Sequence, residues 1–238
     1  RATHFVDPGE FRKTQNWIGG TRPDNANYVP PAPEEMEAPL GDLEKFIHTP
    51  FVHPVVDVGL LHAQFETIHP FLDGNGRTGR LLIVFYLIHY GYLDLPALFL
   101  SSYFKKHQKT YYERLDQYHH GDILPWLEFF VDAVTETATE AIDVSKKVTE
   151  LRDKDLETIS TFSKKTSDIA VQVIRKLYQE PIVSTTKMQE WIGQTRQGTI
   201  NFIEKLVEVG ILSLYRKGEG TRPSLYIHKK YVSLFADK

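Results

Sequence analysis

With 238 residues, the chain is long enough for one large or two modest domains. Its 41% hydrophobic and 25% charged residues are ordinary for a soluble globular protein, and no apolar run approaches the roughly 18 residues of a membrane span, so no membrane partner is expected. The lack of cysteine excludes disulfides and thiolate metal sites and fits a cytoplasmic protein, while a net charge of −3 selects no partner by itself.

Residues 1–20 read as loop with a short helix, and Asp24 to Pro33 is rich in Pro and Asn. Tyr28-Val29 lies between turn signals, as one arm of a short hairpin would. Pro39 to His48 suits a helix. Pro54 to Ile68 is a second, with Val55, Val56, Val58, Leu61, Phe65 and Ile68 near helical spacing. Asn75 to Tyr90 reads as a buried helix stopped by Gly91. Pro96 to Leu115 offers one or two more, with Ser101 or Ser102 as caps. Leu124 to about Leu151 is a long helical pattern, and the polar stretch from Thr158 to Thr166 is the best linker.

From Ser167 the pattern changes. Ile169, Val173, Ile174 and Leu177 mark one helix, and Ser184 to Ile192 a second. A third opens at Thr195, carries Ile200, Ile203, Leu206 and Val207 inward, and ends at Gly210. Ile211 to Tyr215 and Leu225 to His228 flank a turn at Lys217-Gly218-Glu219-Gly220, as in a hairpin. This order resembles a winged helix-turn-helix. Its third helix would present Arg196, Gln197, Thr199 and Asn201, with Lys217 and Arg222 on the wing. Charge divides the same way: residues 167–238 carry a net +4 and residues 1–166 a net −7. A basic module permits DNA contact, yet so small an excess equally suits a solvated surface, a protein contact or packing within a dimer.

The densest chemistry lies in His69-Pro70-Phe71-Leu72-Asp73-Gly74-Asn75-Gly76-Arg77-Thr78-Gly79-Arg80. This polar cluster sits on a glycine-rich turn that opens a helix, where free N–H groups and the helix dipole favour an anion. Gly74 and Gly76 permit close backbone approach to a phosphate. Arg77 and Arg80, three apart, are placed to reach a polyphosphate. His69 precedes Pro70, so it sits outside the helix, where a neutral imidazole can accept a hydroxyl proton. Asp73 suits a divalent cation bridging phosphates, or a plain turn. Asn75 suits a phosphate oxygen, a helix cap, or both.

The twelve residues resemble the signature of the Fic family, H-P-F-x-D/E-G-N-G-R-x-x-R, at every specified position. The resemblance extends over roughly residues 5–140, through Gly9 to Arg12, Gln15 to Gly20, Tyr28 to Pro31, Asp42 to His48 and Ser102 to Tyr112. It implies a mainly α fold: a Fic helical core with a small β-hairpin flap over 1–150, a linker at 151–166, and the winged helix-turn-helix at 167–238.

It also implies a protein adenylyltransferase that binds ATP with Mg²⁺ (or Mn²⁺) and moves AMP onto a Tyr, Thr or Ser hydroxyl of a target protein or of itself. His69 would be the base and Asp73 the metal ligand. Gly74, Asn75, Gly76, Arg77, Thr78, Gly79 and Arg80 would form the phosphate site. The target would pair with a flap at Asn25, Ala26, Asn27, Tyr28 and Val29. Tyr111, Tyr112 and Trp126 are candidates for stacking on adenine, against the ordinary fate of helical aromatics in a core. Gly76 stands where Doc-like kinases carry lysine, which disfavours phosphorylation. Phosphocholine transfer, another nucleotide donor and AMP removal stay open, as does a DNA-associated regulator. No S/T-x-x-x-E-G/N inhibitory motif is found. The chain opens at Arg1, which leaves an inhibitory helix upstream or on another chain as the expectation, with a homodimer by family analogy.

Overall fold

The computed structural model describes residues 9–49, 51–94 and 98–235. The expected loop over the first eight residues and the expected helix start at Pro96 lie outside them. The chain divides into two compact units, Arg1–Ala141 and Ile142–Lys238. Among the described residues no helix is long and apolar enough to cross a membrane.

In the first unit, residues 9–36 run mostly irregularly, with 3₁₀ turns at Pro23–Asn25 and Pro33–Glu35 and no longer helix. The helices are α1 (Glu37–Ile47), α2 (Pro54–Ile68), α3 (Asn75–His89), α4 (Leu100–Lys106) and α5 (Gln108–His119), followed by the start of α6 (Leu124–Ser160). Helix α2 is central and packs on α1, α3 and α5. Val58, Leu61, Ala63, Phe65 and Ile68 are buried around most of its circumference, which is how a helix enclosed by others reads. Pro54 sits at its first turn, where no N–H is needed, and His53 caps it by accepting the Val55 N–H.

The buried Asp57 carboxylate accepts the N–H groups of Phe51 and Val52 at 3.1 Å each and faces the Tyr86 hydroxyl on α3 at 3.4 Å. It thereby ties the entry of α2 to α3. A Cβ at Gly59 would meet the Phe130 ring at 2.9 Å, and Trp126 donates its indole N–H to the Gly59 carbonyl at 2.9 Å. Glycine there lets α6 lie tightly on α2.

In the second unit, α7 (Lys164–Leu177) is followed by β1 (Ile182–Ser184), α8 (Thr185–Ile192), α9 (Arg196–Glu208), β2 (Ser213–Arg216), β3 (Leu225–Ile227) and α10 (Lys229–Ser233). The three strands form an antiparallel sheet in the order β1-β3-β2, with an irregularity between Leu214 and Arg216. Ser184 and Thr195 cap α8 and α9 by accepting the N–H groups of Lys187 and Gly198. Residues 151–160, expected to begin a linker, continue α6, and Ile159 is fully buried in the core of this unit with Val173, Ile174, Leu177, Met188 and Ile203.

Candidate active site

Helix α2 ends in an unusual way. His69 adopts the left-handed conformation (φ 50°, ψ 58°), the only non-glycine positive φ among the described residues. Such a conformation costs a non-glycine residue about 1 kcal/mol or more and persists only where its surroundings hold it. Arg12, 2% exposed, is that support. Its Nε donates to the His69 carbonyl at 3.0 Å and its guanidinium reaches the carbonyls of Ile68 and Pro31, while its backbone N–H donates to Pro70 at 2.8 Å. Burial lowers the Arg12 pKa, with Glu34 and Tyr28 opposing.

The loop beyond His69 is pinned from both sides. Asn16 donates to the Phe71 carbonyl at 3.0 Å. Asn75, 2% exposed, accepts the Phe71 N–H at 2.9 Å and donates to its carbonyl at 2.6 Å. The Asn75 amide is thus occupied in holding the loop to the start of α3, which is capped by Gly74 (φ 91°) and not by Asn75. The helix-cap role expected for Asn75 gives way to this one.

The His69 ring turns inward, its side chain 18% exposed. Its Nδ1 lies 3.3 Å from the Glu66 carbonyl and 3.7 Å from the Glu66 carboxylate. Both are acceptors, so the neutral ring carries its proton on Nδ1 and leaves the Nε2 lone pair free. Burial lowers the His69 pKa below its ordinary value, the Glu66 backbone opposes, and Arg12 lowers it further. At neutral pH this imidazole is a base.

At the start of α3 the two arginines diverge. Arg77 is 74% exposed and pairs with Asp73 at 3.4 Å, while Asp73 also accepts the Gly74 N–H at 2.7 Å. Arg80 is partly buried and lines a cavity with Gly76. Three residues apart on a helix is near neighbourhood and not one direction, and here the two side chains face different surroundings. Thr78 is partly buried, its N–H bonded to the Gly74 carbonyl. A Cβ at Gly79 would lie 2.8 Å from Glu66 Oε1 and 3.1 Å from the His62 ring, so glycine brings α3 close against α2. Burial raises the Glu66 pKa to about 7 despite the Arg80 charge, and lowers that of His62 to about 4.

The cavity holds about 510 Å³. Glu66, His69, Gly76 and Arg80 form one wall, Ile18, Asn27 and Tyr28 another, and α5 supplies Tyr111, Tyr112 and His119 among others. Tyr111 is 7% exposed with its hydroxyl 3.0 Å from His62 Nε2, whereas Tyr112 is 49% exposed. Trp126 is fully buried in the helical core and does not line the cavity, so it leaves the set of adenine candidates. The expected hairpin flap is a single antiparallel bridge, Ile18 to Tyr28, before an exposed Val29. Asn25 lies in a 3₁₀ turn and folds its amide oxygen back onto the N–H groups of Thr21 and Arg22, and the neighbouring Ala26 is partly buried. Tyr28 stacks on His119 with ring centroids 3.6 Å apart, which joins this segment to α5.

Arg12, His62, Glu66 and His119 are site residues that the sequence did not single out. His62, Glu66 and His69 recur at i, i+4 and i+7, one helical stripe of polar residues in an apolar helix, and that signal was readable. In the second unit Arg196, Gln197, Asn201, Lys217 and Arg222 are exposed, with Gln197 bonded to Asn201 at 2.8 Å. Thr199 is only 1% exposed and donates to the Thr195 carbonyl, so its inward position removes it from any contact surface. Among the described residues no group of three or more His, Asp or Glu could hold a metal unaided.

Residues 2–87 match the Fic/DOC family profile. Protein adenylyltransferase Fic of Aedes aegypti is 34% identical over 143 residues, and that of Drosophila yakuba 35% over 143. Each match covers 58% of this chain and 26% of the relative, so the chain spans about a quarter of the length of these proteins. A solved Fic family protein from Desulfovibrio desulfuricans G20 shares the fold, with a TM-score of 0.54 and 21% identity over 95% of this chain and 64% of that one. Taken with the intact motif and the His69 site, the match over 2–87 marks this stretch as similar to Fic/DOC proteins and distantly to protein adenylyltransferase Fic.

Proposed function

We propose that this chain transfers AMP from ATP to a Tyr, Thr or Ser hydroxyl of a protein, itself included, with release of pyrophosphate. The observation that carries this reading is His69: a half-buried, neutral imidazole with its Nε2 free, set beside Arg80 and the glycine-rich start of α3. His69 Nε2 takes the proton of the incoming hydroxyl, whose oxygen bonds to the α-phosphorus as the bond to the pyrophosphate oxygen breaks. Arg80 and the free N–H groups of α3 oppose the negative charge on the phosphates. Arg77 joins them by leaving its exposed pairing with Asp73. Tyr112, exposed at the cavity, is a better stacking surface for adenine than the enclosed Tyr111.

The chemistry of Asp73 fits Mg²⁺. One exposed carboxylate, with no further metal-holding cluster among the described residues, suits a cation that keeps several waters and takes its other ligands from phosphate. Asp73 would hold the ion, which supplies neutralisation of phosphate charge when bound. The Asn27 and Tyr28 N–H groups and the Tyr28 carbonyl are bonded to Ile18, so an extended target segment would pair at the exposed Val29 just beyond the bridge.

ATP labelled at either the α- or the γ-phosphate tests the reading with Mg²⁺ and a cell lysate. Label from the α position in protein, lost in His69→Ala, is the expected result. Label from the γ position alone points to a kinase, and no label from either sinks nucleotide transfer.

For the second unit we infer a winged helix-turn-helix, on the order of three helices and a hairpin with a third strand between the first two helices. Its exposed Arg196, Lys217 and Arg222 favour nucleic acid as a second ligand of the chain. Salt-dependent DNA binding that weakens in Arg196→Ala and Lys217→Ala supports this, and no binding at low salt rejects it.

A further inference from the structure

Glu66 is buried to 6% exposure one helical turn before the loop that carries His69, and it also lines the cavity. Two of its groups face the same ring nitrogen: the main-chain carbonyl at 3.3 Å and carboxylate Oε2 at 3.7 Å from His69 Nδ1. The other carboxylate oxygen, Oε1, is buried with no hydrogen-bond partner and lies where a Cβ at Gly79 would collide with it. A buried carboxylate left half-satisfied is costly unless it does something beyond packing. The groups around it are few. His62 lies one turn earlier on α2, His69 follows on the loop, Arg80 faces it from α3, and Tyr111 from α5.

We propose that Glu66 is a positioning residue for His69: its carbonyl and carboxylate fix the proton on Nδ1, and the ionised carboxylate makes Nε2 a stronger base. A negative charge beside Nδ1 favours the imidazolium formed once Nε2 accepts a proton, so proton transfer to His69 is easier when Glu66 is ionised. The Glu66 pKa near 7 then places this switch in the neutral range. The claim about rate rests on the transfer reading above, while the claim about the ring stands without it.

The test is ¹⁵N NMR of the His69 ring in the nucleotide-free chain, titrated from about pH 5 to 9, in wild type, Glu66→Gln and Glu66→Asp. Wild type is expected to show two steps at Nε2, its own protonation below the ordinary histidine pKa and a second near 7 as Glu66 ionises alongside. Glu66→Gln, equal in size, should lose the second step and lower the His69 pKa. Glu66→Asp should keep a weakened second step.

In transfer assays Glu66→Gln should lower kcat about tenfold with KM for ATP little changed, and move the rising limb of the pH–rate profile to lower pH. A glutamine variant whose ring titration overlays wild type overturns the proposal, since a packing role alone predicts that result. Two steps in wild type, the second lost in glutamine, but no α-label in protein would retain Glu66's role and reject adenylyl transfer instead.

Discussion

Among the described residues, two histidine–carboxylate pairs lie at least partly buried, one in each unit, and they are built to opposite ends. In the second unit His228 is fully buried and Asp155 is 3% exposed. His228 Nε2 donates to Asp155 at 2.7 Å, its Nδ1 accepts the Tyr231 N–H, and the Tyr178 hydroxyl donates to the same carboxylate oxygen at 2.9 Å. Both ring nitrogens are engaged, and the pair joins the end of α6 to α7 and to the turn after β3. In the first unit the His69–Glu66 pair is longer, its backbone is left-handed, and one carboxylate oxygen has no partner. A satisfied network specifies a core, whereas a partly satisfied one holds groups in reserve for a ligand.

The sharpest way to break this comparison is to remove each histidine–carboxylate pair and read activity and stability separately. His69→Ala should reduce transfer about 10²- to 10⁴-fold, the usual worth of a positioned base, and leave the unfolding midpoint near wild type, since alanine keeps the same left-handed backbone. Asp155→Ala should do the reverse. Stripping a buried partner from His228 and Tyr178 costs about 3 kcal/mol, visible as a lower unfolding midpoint. A stable Asp155→Ala protein would show that the tight pair is dispensable and remove the contrast.

Arg12→Ala comes next. It leaves the carbonyls of His69, Ile68 and Pro31 without this donor and releases the left-handed turn, at about 1–3 kcal/mol for the buried polar groups. Because the turn aims His69, kcat should also fall about tenfold while ATP binding persists, measured as kcat against Kd. Unchanged kcat would separate the brace from the chemistry.

Helices α2 and α3 were legible almost to the residue because their apolar residues recur at helical spacing and their ends are marked by Pro54, Ile68 before a His-Pro pair, Gly74 and Gly91. The end of α6 was not. Its sequence past Leu151 is polar and lacks a breaker, and contacts with residues distant in sequence, the burial of Ile159 and the bonds of Asp155 to His228 and Tyr178, hold it as helix. Strand β1 has three residues, too few for alternation to register, and it is set by pairing with β3. In the site, the motif residues announce themselves by spacing. Arg12 cannot: its bond to His69 spans 57 positions and nothing local marks it. The same applies to the outward turn of Arg77 and the inward turn of Thr199, which depend on what surrounds each helix.

The smallest expected effect concerns stability against pH, and it reads the polar stripe of α2 directly. His62 is held neutral, its pKa lowered from 6.5 to about 4, so the unfolded chain binds more protons between those values and stability rises with pH through that window. Glu66 has its pKa raised from 4.5 to about 7, so its burial opposes ionisation and stability falls as pH rises from 4.5 to 7. The two slopes have opposite sign over the shared range, which leaves wild type nearly flat there. Glu66→Gln removes only the falling slope. Its unfolding free energy, relative to wild type, should therefore rise steadily between about pH 5 and 8, as measured by denaturant titration. A constant difference across that range would mean that Glu66 keeps an ordinary carboxylate pKa in the folded chain.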